Sequence, residues 1–391
     1  MKRRHWAHLV VAAAVTAALA AAAPAAASTP PHAGTAPVAA GAAANARAAG
    51  GASATAVAYL QARAAAVTSA DPAAVLAPYL AAGSALARTE ARFATGAALR
   101  YQDSGRTVDS AVCRVVVLDV QPCDDGITTS VGARAITTVT LGGAAGRTDE
   151  EASGVDHTLT LTRTGDRWLV TADVYVDDTR AACLEAAGAS RARVRAAARA
   201  LERATVPVVL PRATPTRPPI PTRRYQDVIE YDRAAAQDYG DTYALSYNPT
   251  FVHFDGADCA NFASQCARAG SMPQSGGSTG SGWWYDKGGT SSPSNDTYSL
   301  SWINVAKQMS FWNGRRTDWE TSAGALSRGD FIYYDWSGDG VWDHVAMVAG
   351  TNSAGQKVID AHTTDHYRVY WKLGSSSTKY RFARVRASWV V

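Results

Sequence analysis

Asp258-Cys259-Ala260-Asn261-Phe262-Ala263-Ser264-Gln265-Cys266 follows a polar loop and runs on to Gly270. Cys259, Phe262, Ala263 and Cys266 recur at the spacing of one helix face, so an amphipathic helix is expected with the sulfur at its upper end. Asp258 stands where an N-cap would stand, which puts Cys259 in the first turn. Unpaired N–H groups and the helix dipole favour a thiolate there, and a thiolate is a nucleophile. Two cysteines seven residues apart on one helix are separated by about 10.5 Å along the axis, beyond the roughly 7 Å a disulfide tolerates. Cys259 and Cys266 are therefore not expected to pair.

A thiol nucleophile needs a base held in fixed geometry. Toward the C terminus, Gly329-Asp330-Phe331-Ile332-Tyr333-Tyr334 reads as a turn and a strand. The polar stretch Asp335–Trp342 follows it, and then Asp343-His344-Val345-Ala346-Met347-Val348 reads as a second strand that His344 opens. Lys357-Val358-Ile359-Asp360-Ala361-His362-Thr363 reads as a third. Alternation puts Val358, Asp360 and His362 on one face, so Asp360 or His362 is expected to reach the His344 imidazole and hold its tautomer. This requires the sulfur at 259 and the ring at 344 to meet. Asn261 and Gln265 turn away from the sulfur's stripe and tie the helix to loops or contact substrate; a side-chain oxyanion donor is expected from Tyr247 or Asn248.

With these words in view, the sequence resembles the bacterial Putative amidase domain family, related to papain-like cell-wall hydrolases of the CHAP and NlpC type. The matching residues are Asp258 to Gln265, Ser301-Trp302, Gly329 to Ile332, Asp343-His344-Val345 and Asp360-Ala361-His362-Thr363, within about Tyr225 to Trp371. The resemblance implies an α+β, papain-like cysteine hydrolase in which Cys259 attacks an amide carbonyl and His344 shuttles the proton. Asp360 takes the third position by spacing and His362 by the His-Thr word; Asp360 ranks first because a carboxylate best stabilises imidazolium. Peptidoglycan stem peptides are the substrate class that the resemblance and export imply, with no organic cofactor.

Toward the N terminus, Val206–Arg224 carries 6 of the chain's 16 prolines and reads as an extended spacer, residues 206–224. Ahead of it, residues 53–205 show helical spacing up to Arg100. Strands follow over Cys113–Val120, Val131–Leu141, His157–Arg163 and Arg167–Tyr175, with a turn at Thr164-Gly165-Asp166, and then helix from Ala181 to Thr205. Helices followed by a strand meander make a smaller α+β domain whose element order is similar to cystatin-like, nuclear-transport-factor-like cones. Residues 28–52 read as an Ala/Pro-rich tether. Residues 1–27, with Lys2, Arg3 and Arg4, an apolar run and Ala25-Ala26-Ala27, read as a secretory signal peptide. Export allows disulfides, and the simplest pairing among Cys113, Cys123 and Cys183 joins Cys113 to Cys123.

In all, 391 residues suit two domains plus tails. From Arg223 onward 16 Lys/Arg face 17 Asp/Glu, so no phosphate-seeking field exists and nucleic acid is excluded as a partner. No integral span remains after signal cleavage, and the oligomeric state is left open. Asp335–Asp343 partly matches a calcium loop, but Ala346 replaces the bidentate Glu, so a hairpin turn is the better reading and no metal is expected. Nine of the 11 tryptophans lie between Trp283 and Trp389. Trp283, Trp284 and Trp302 stand as candidate substrate contacts, against ordinary core packing. Two rivals stay open: an acyltransferase with the same residues and an amine acceptor, and a non-catalytic wall-binding module.

Overall fold

The structure, a computed structural model, describes residues 51–143, 146–205, 227–289 and 292–391. The signal-peptide and spacer segments, and all but the end of the tether, lie outside these residues. The elements run in order: α1 (Ala52–Ala65), α2 (Pro72–Leu76), α3 (Ala85–Asp103), β1 (Thr107–Pro122), β2 (Thr128–Gly142), β3 (Thr148–Thr164), β4 (Arg167–Tyr175), α4 (Arg180–Ala186) and α5 (Arg191–Thr205). Then come β5 (Val228–Glu230), α6 (Arg233–Tyr243), α7 (Cys259–Ala269), β6 (Tyr285–Asp286), β7 (Thr297–Tyr298), α8 (Leu300–Ile303), α9 (Val305–Trp312) and β8 (Thr317–Glu320). The chain closes with β9 (Phe331–Asp335), β10 (His344–Thr351), β11 (Lys357–Ala361), β12 (Asp365–Tyr370), β13 (Lys379–Val385) and β14 (Ser388–Val390).

The α+β class holds, with antiparallel sheets throughout the strands that pair. The two halves are not separate layers, however. One ten-stranded sheet runs β1-β2-β3-β12-β11-β10-β9-β13-β8, with β4 joined to β3. The seam is the β3–β12 pair, where Asp365 faces Gly154, His366 faces Ser153 and Tyr367 faces Ala152. Gly154 belongs at this seam: a Cβ there would come within 3.1 Å of the Arg134 guanidinium and 3.3 Å of Asp365.

The shared sheet is covered on both faces in the C-terminal half, which decides where each side chain ends up. Tyr333, Val345, Met347 and Val358 pack on one face with Cys259, Phe262 and Trp302. Tyr334, Ala346, Val348, Ile359 and Ala361 pack on the other with Leu201 and Trp336. The N-terminal strands build a second core with α1, from Tyr59, Leu60, Val131, Leu159 and Leu161. The turn after β3 falls at Gly165, whose φ of 64° L side chains rarely adopt. The single helix expected from Ala181 to Thr205 is instead two, broken at Gly188 with φ 72°. Among the described residues no helix is long and apolar enough to cross a membrane.

All five cysteines are free, so the expected Cys113–Cys123 bridge is corrected. Cys113 lies mid-β1 opposite Thr137 and Cys123 lies past the strand's end. Ten extended residues separate them by roughly 30 Å, far beyond disulfide reach.

Candidate functional site

α7 begins at Cys259 and ends at Gly270, as its spacing predicts. Cys259 is 2% exposed. Burial pushes its thiol up to about 11, against the opposing pull of the Val345 N–H, the Thr363 hydroxyl and the Ala260 N–H. Thr363, a β-branched residue, is held at φ 94°. Such a backbone costs about 1–3 kcal/mol and persists only where its surroundings impose it.

Asp258 does not cap the helix, because no N–H of the first turn reaches its side chain. Its carboxylate is committed elsewhere: Oδ1 accepts from the Phe254 N–H at 3.1 Å and from Asn261 Nδ2 at 2.9 Å, and Oδ2 faces His362 Nδ1 at 2.7 Å. His362 Nε2 donates to the Tyr243 carbonyl at 2.8 Å. With an oxygen acceptor facing each nitrogen, the geometry favours the imidazolium form. Burial works against that charge, yet Asp258, Asp365 and the Tyr243 carbonyl together hold the ring's pKa above the usual imidazole value. The ring stacks on Phe262, one turn below Cys259, at 4.0 Å. His362 therefore lies on the Cys259 side of the sheet, with a carboxylate supplied by the residue before that cysteine.

His344 does not meet Cys259, which corrects the expected pair. His344 is opposite Tyr334 in the β9–β10 register, and its ring lies 5.3 Å from Tyr334 and 5.4 Å from Trp336, on the sheet face away from α7. The next residue, Val345, is the one that faces the sulfur. His344 is 1% exposed, and neither ring nitrogen has a hydrogen-bond partner. Burial pushes it down to about 4, with Asp178 opposing and His366 adding to the effect. Asp360 does share the Cys259 face, opposite Met347, but it accepts the Arg368 N–H at 2.8 Å and does not orient His344. Burial, with Asp241 close by, raises its carboxyl well above the usual range.

Other expected contacts turn out to be internal bracing. Asn261 donates to the Val252 carbonyl and to Asp258 and accepts from Trp302 Nε1 at 2.9 Å. Gln265 accepts from the Tyr239 hydroxyl at 2.6 Å. Asn248 donates to that same hydroxyl, and Tyr247 donates to Asp365, so neither amide nor phenol points to the sulfur as an oxyanion donor. Trp283, Trp284 and Trp302 are core residues at 0%, 1% and 0% exposure, which corrects the substrate-contact expectation. Trp283 stacks on Trp302 at 4.8 Å, and its indole N–H reaches Ser264 Oγ at 3.0 Å, so ring and polar handle are both satisfied inside.

Asp335–Asp343 closes as a turn, with Asp335 accepting from the Gly338, Asp339 and Gly340 N–H groups. The Asp335 and Asp343 carboxylates lie within 4.8 Å of Glu202, a neighbour from α5 that spacing could not reveal. Burial and these neighbours push Asp343 up to about 7, which eases their repulsion.

Residues 230–385 match the family described as Putative amidase domain. Two curated proteins of Bacillus subtilis (strain 168) are similar to this chain. Uncharacterized protein YhbB is 32% identical over 155 residues, 38% of this chain and 47% of that protein. Uncharacterized protein YjcM is 28% identical over 151 residues, 36% of this chain and 32% of that protein. The chain thus spans less than half the length of either relative. No solved structure matches it.

Proposed function

We propose that residues 230–385 form an amidase-type hydrolase with Cys259 as nucleophile, His362 as its imidazole and Asp258 as the carboxylate that orients that ring. The observation that carries this reading is the 2.7 Å contact between His362 Nδ1 and Asp258 Oδ2, on the face of the sheet that packs the thiol. The strained Thr363 beside the sulfur supports it. In this papain-like scheme the buried sulfur must first reach water, and its hydration brings the pKa down from about 11. The thiolate attacks the amide carbonyl. His362 turns Nε2–H from the Tyr243 carbonyl to the departing nitrogen and protonates it as the C–N bond breaks. The neutral imidazole then takes a proton from the water that attacks the thioester, which releases the acid and restores the thiolate–imidazolium pair. The secretory leader expected at residues 1–27 and an amidase-type domain together favour peptide amides outside the cytoplasm, with peptidoglycan stem peptides as the substrate class.

One observation favours a second reading, with His344 as the base: both nitrogens of that buried ring stand without a hydrogen-bond partner. Mass spectrometry of cell-wall digests treated with wild type, Cys259→Ala, His362→Ala and His344→Leu separates the two. The proposal expects new free termini from wild type and His344→Leu, and none from the other two. Loss of products with His344→Leu but not with His362→Ala would move the base to His344. Retained products with Cys259→Ala would end the thiol mechanism.

A further inference from the structure

The segment that matches the family begins at residue 230, yet the polar chain around His362 extends beyond it into the N-terminal half. Asp365, which opens β12 at the seam, is 1% exposed and is gripped by Arg134 Nη2 from β2. The same carboxylate accepts the Tyr247 hydroxyl at 3.2 Å on each oxygen. The Arg134 guanidinium stands 5.7 Å over the Tyr247 ring, whose edge meets the His362 ring at 4.7 Å and whose face meets His253 at 3.6 Å. Charged and titratable groups thus approach His362 from the elements packed on it: Asp258 before α7, Asp365 from β12, and Tyr247 from the loop after α6, with His253 stacked behind Tyr247. Cys259 follows Asp258, and the carbonyl of Tyr243 closes the ring's other side. A buried carboxylate is stable in such a place only with a cation and hydrogen bonds, and Arg134 is the cation that the seam brings.

We propose that Arg134 and Asp365 are positioning residues for the His362–Asp258 pair, so that the N-terminal half completes the catalytic apparatus of the matched domain. This rests on the reading of Cys259 and His362 given above. Burial pushes the Asp365 carboxyl above its usual range, and Arg134, with His362, opposes that push and holds the group in place. Asp365 in turn fixes Tyr247 against the His362 ring and adds a negative charge that keeps the ring protonated. Tethering alone would use the β3–β12 backbone pairing, which involves neither side chain.

The test uses the full chain with 15N-labelled histidine and follows the His362 ring by NMR across pH, beside thermal unfolding. Asp365→Asn is expected to lower the His362 titration midpoint by about one unit, a tenfold loss of proton affinity. Arg134→Met with Asp365→Asn leaves no buried carboxylate without a cation, so it retains the fold and shows the same shift. Arg134→Lys keeps the charge and leaves the midpoint within a few tenths of a unit. An unmoved midpoint in Asp365→Asn and in the double variant would overturn the proposal, as would a shift in Arg134→Lys as large as that in Asp365→Asn. The reading beneath it is checked separately by digesting cell-wall peptides with Cys259→Ala. Loss of products with that variant leaves the NMR result to decide the role of Arg134; retained products would sink the catalytic meaning of the contact whatever the titration gives.

Discussion

His344→Leu is expected to make the protein less sensitive to acid. In the fold the ring is 1% exposed, has no hydrogen-bond partner and is pushed down to about 4; unfolded, it titrates near 6.5. A depressed folded-state value means that the stability it allows is complete above pH 6.5 and is lost as pH falls toward 4. Between pH 7 and pH 5 the unfolded ring takes up most of a proton that the folded ring refuses, and at about 1.4 kcal/mol per unit this costs wild type about 2 kcal/mol. Leucine removes that cost and relieves two buried nitrogens of an unmet hydrogen bond, at similar volume against Tyr334 and Trp336. Urea unfolding of both proteins at pH 7 and pH 5 measures it, since the other titrating groups cancel in the difference. The variant should gain about 2 kcal/mol on wild type between the two pH values. An equal loss in both proteins would mean that the ring has a partner or water in the fold, and would refute its burial on the face away from Cys259.

Three further outcomes follow from the same structure. Asn261→Ala leaves the Trp302 indole N–H and the Val252 carbonyl without their partner inside the core, so denaturant unfolding should register a loss of about 2–4 kcal/mol. Iodoacetamide at pH 7 should modify exposed Cys123 first and buried Cys259 and Cys266 far more slowly, with the native Cys259 rate climbing toward a midpoint near 11; peptide mass spectrometry reads all three. Thiol titration in denaturant without reductant should find five thiols, whereas three would restore the Cys113–Cys123 bridge.

The helix that Cys259 opens was legible because its signals are local. Four small or apolar residues at helix spacing, a cysteine at one end and Gly270 at the other need no tertiary information. The strands of the first half were legible by alternation, since β3 packs Leu159 and Leu161 inward and leaves Asp156 and Thr158 outside. The face of His344 was not legible. Val345, Ala346, Met347 and Val348 form a continuous apolar run because both faces of β10 are buried, and such a run carries no mark of which side looks at α7. Phasing β11 from Asp360 and His362 fixed those two residues, but the register that sets Met347 opposite Asp360 appears only in the folded sheet. The seam was hidden for a similar reason: pairing of Asp365 with Gly154 joins residues 211 positions apart across a proline-rich spacer that reads as a boundary. Asp258 looked like a cap because its position is that of a cap, and only the return of His362 reveals its other use. Trp283 and Trp302 read equally as substrate contacts or as core, and only the folded chain shows them stacked inside.

Acid quench of the full chain during turnover on peptidoglycan stem peptides, followed by peptide mapping, tests the thiol assignment most directly. The account predicts an acyl thioester on the peptide carrying Cys259, absent in Cys259→Ala and in His362→Gln, which lacks the proton donor for the departing amine. Product released while Cys259 stays unmodified, with Cys259→Ala turning over as fast as wild type, would contradict it.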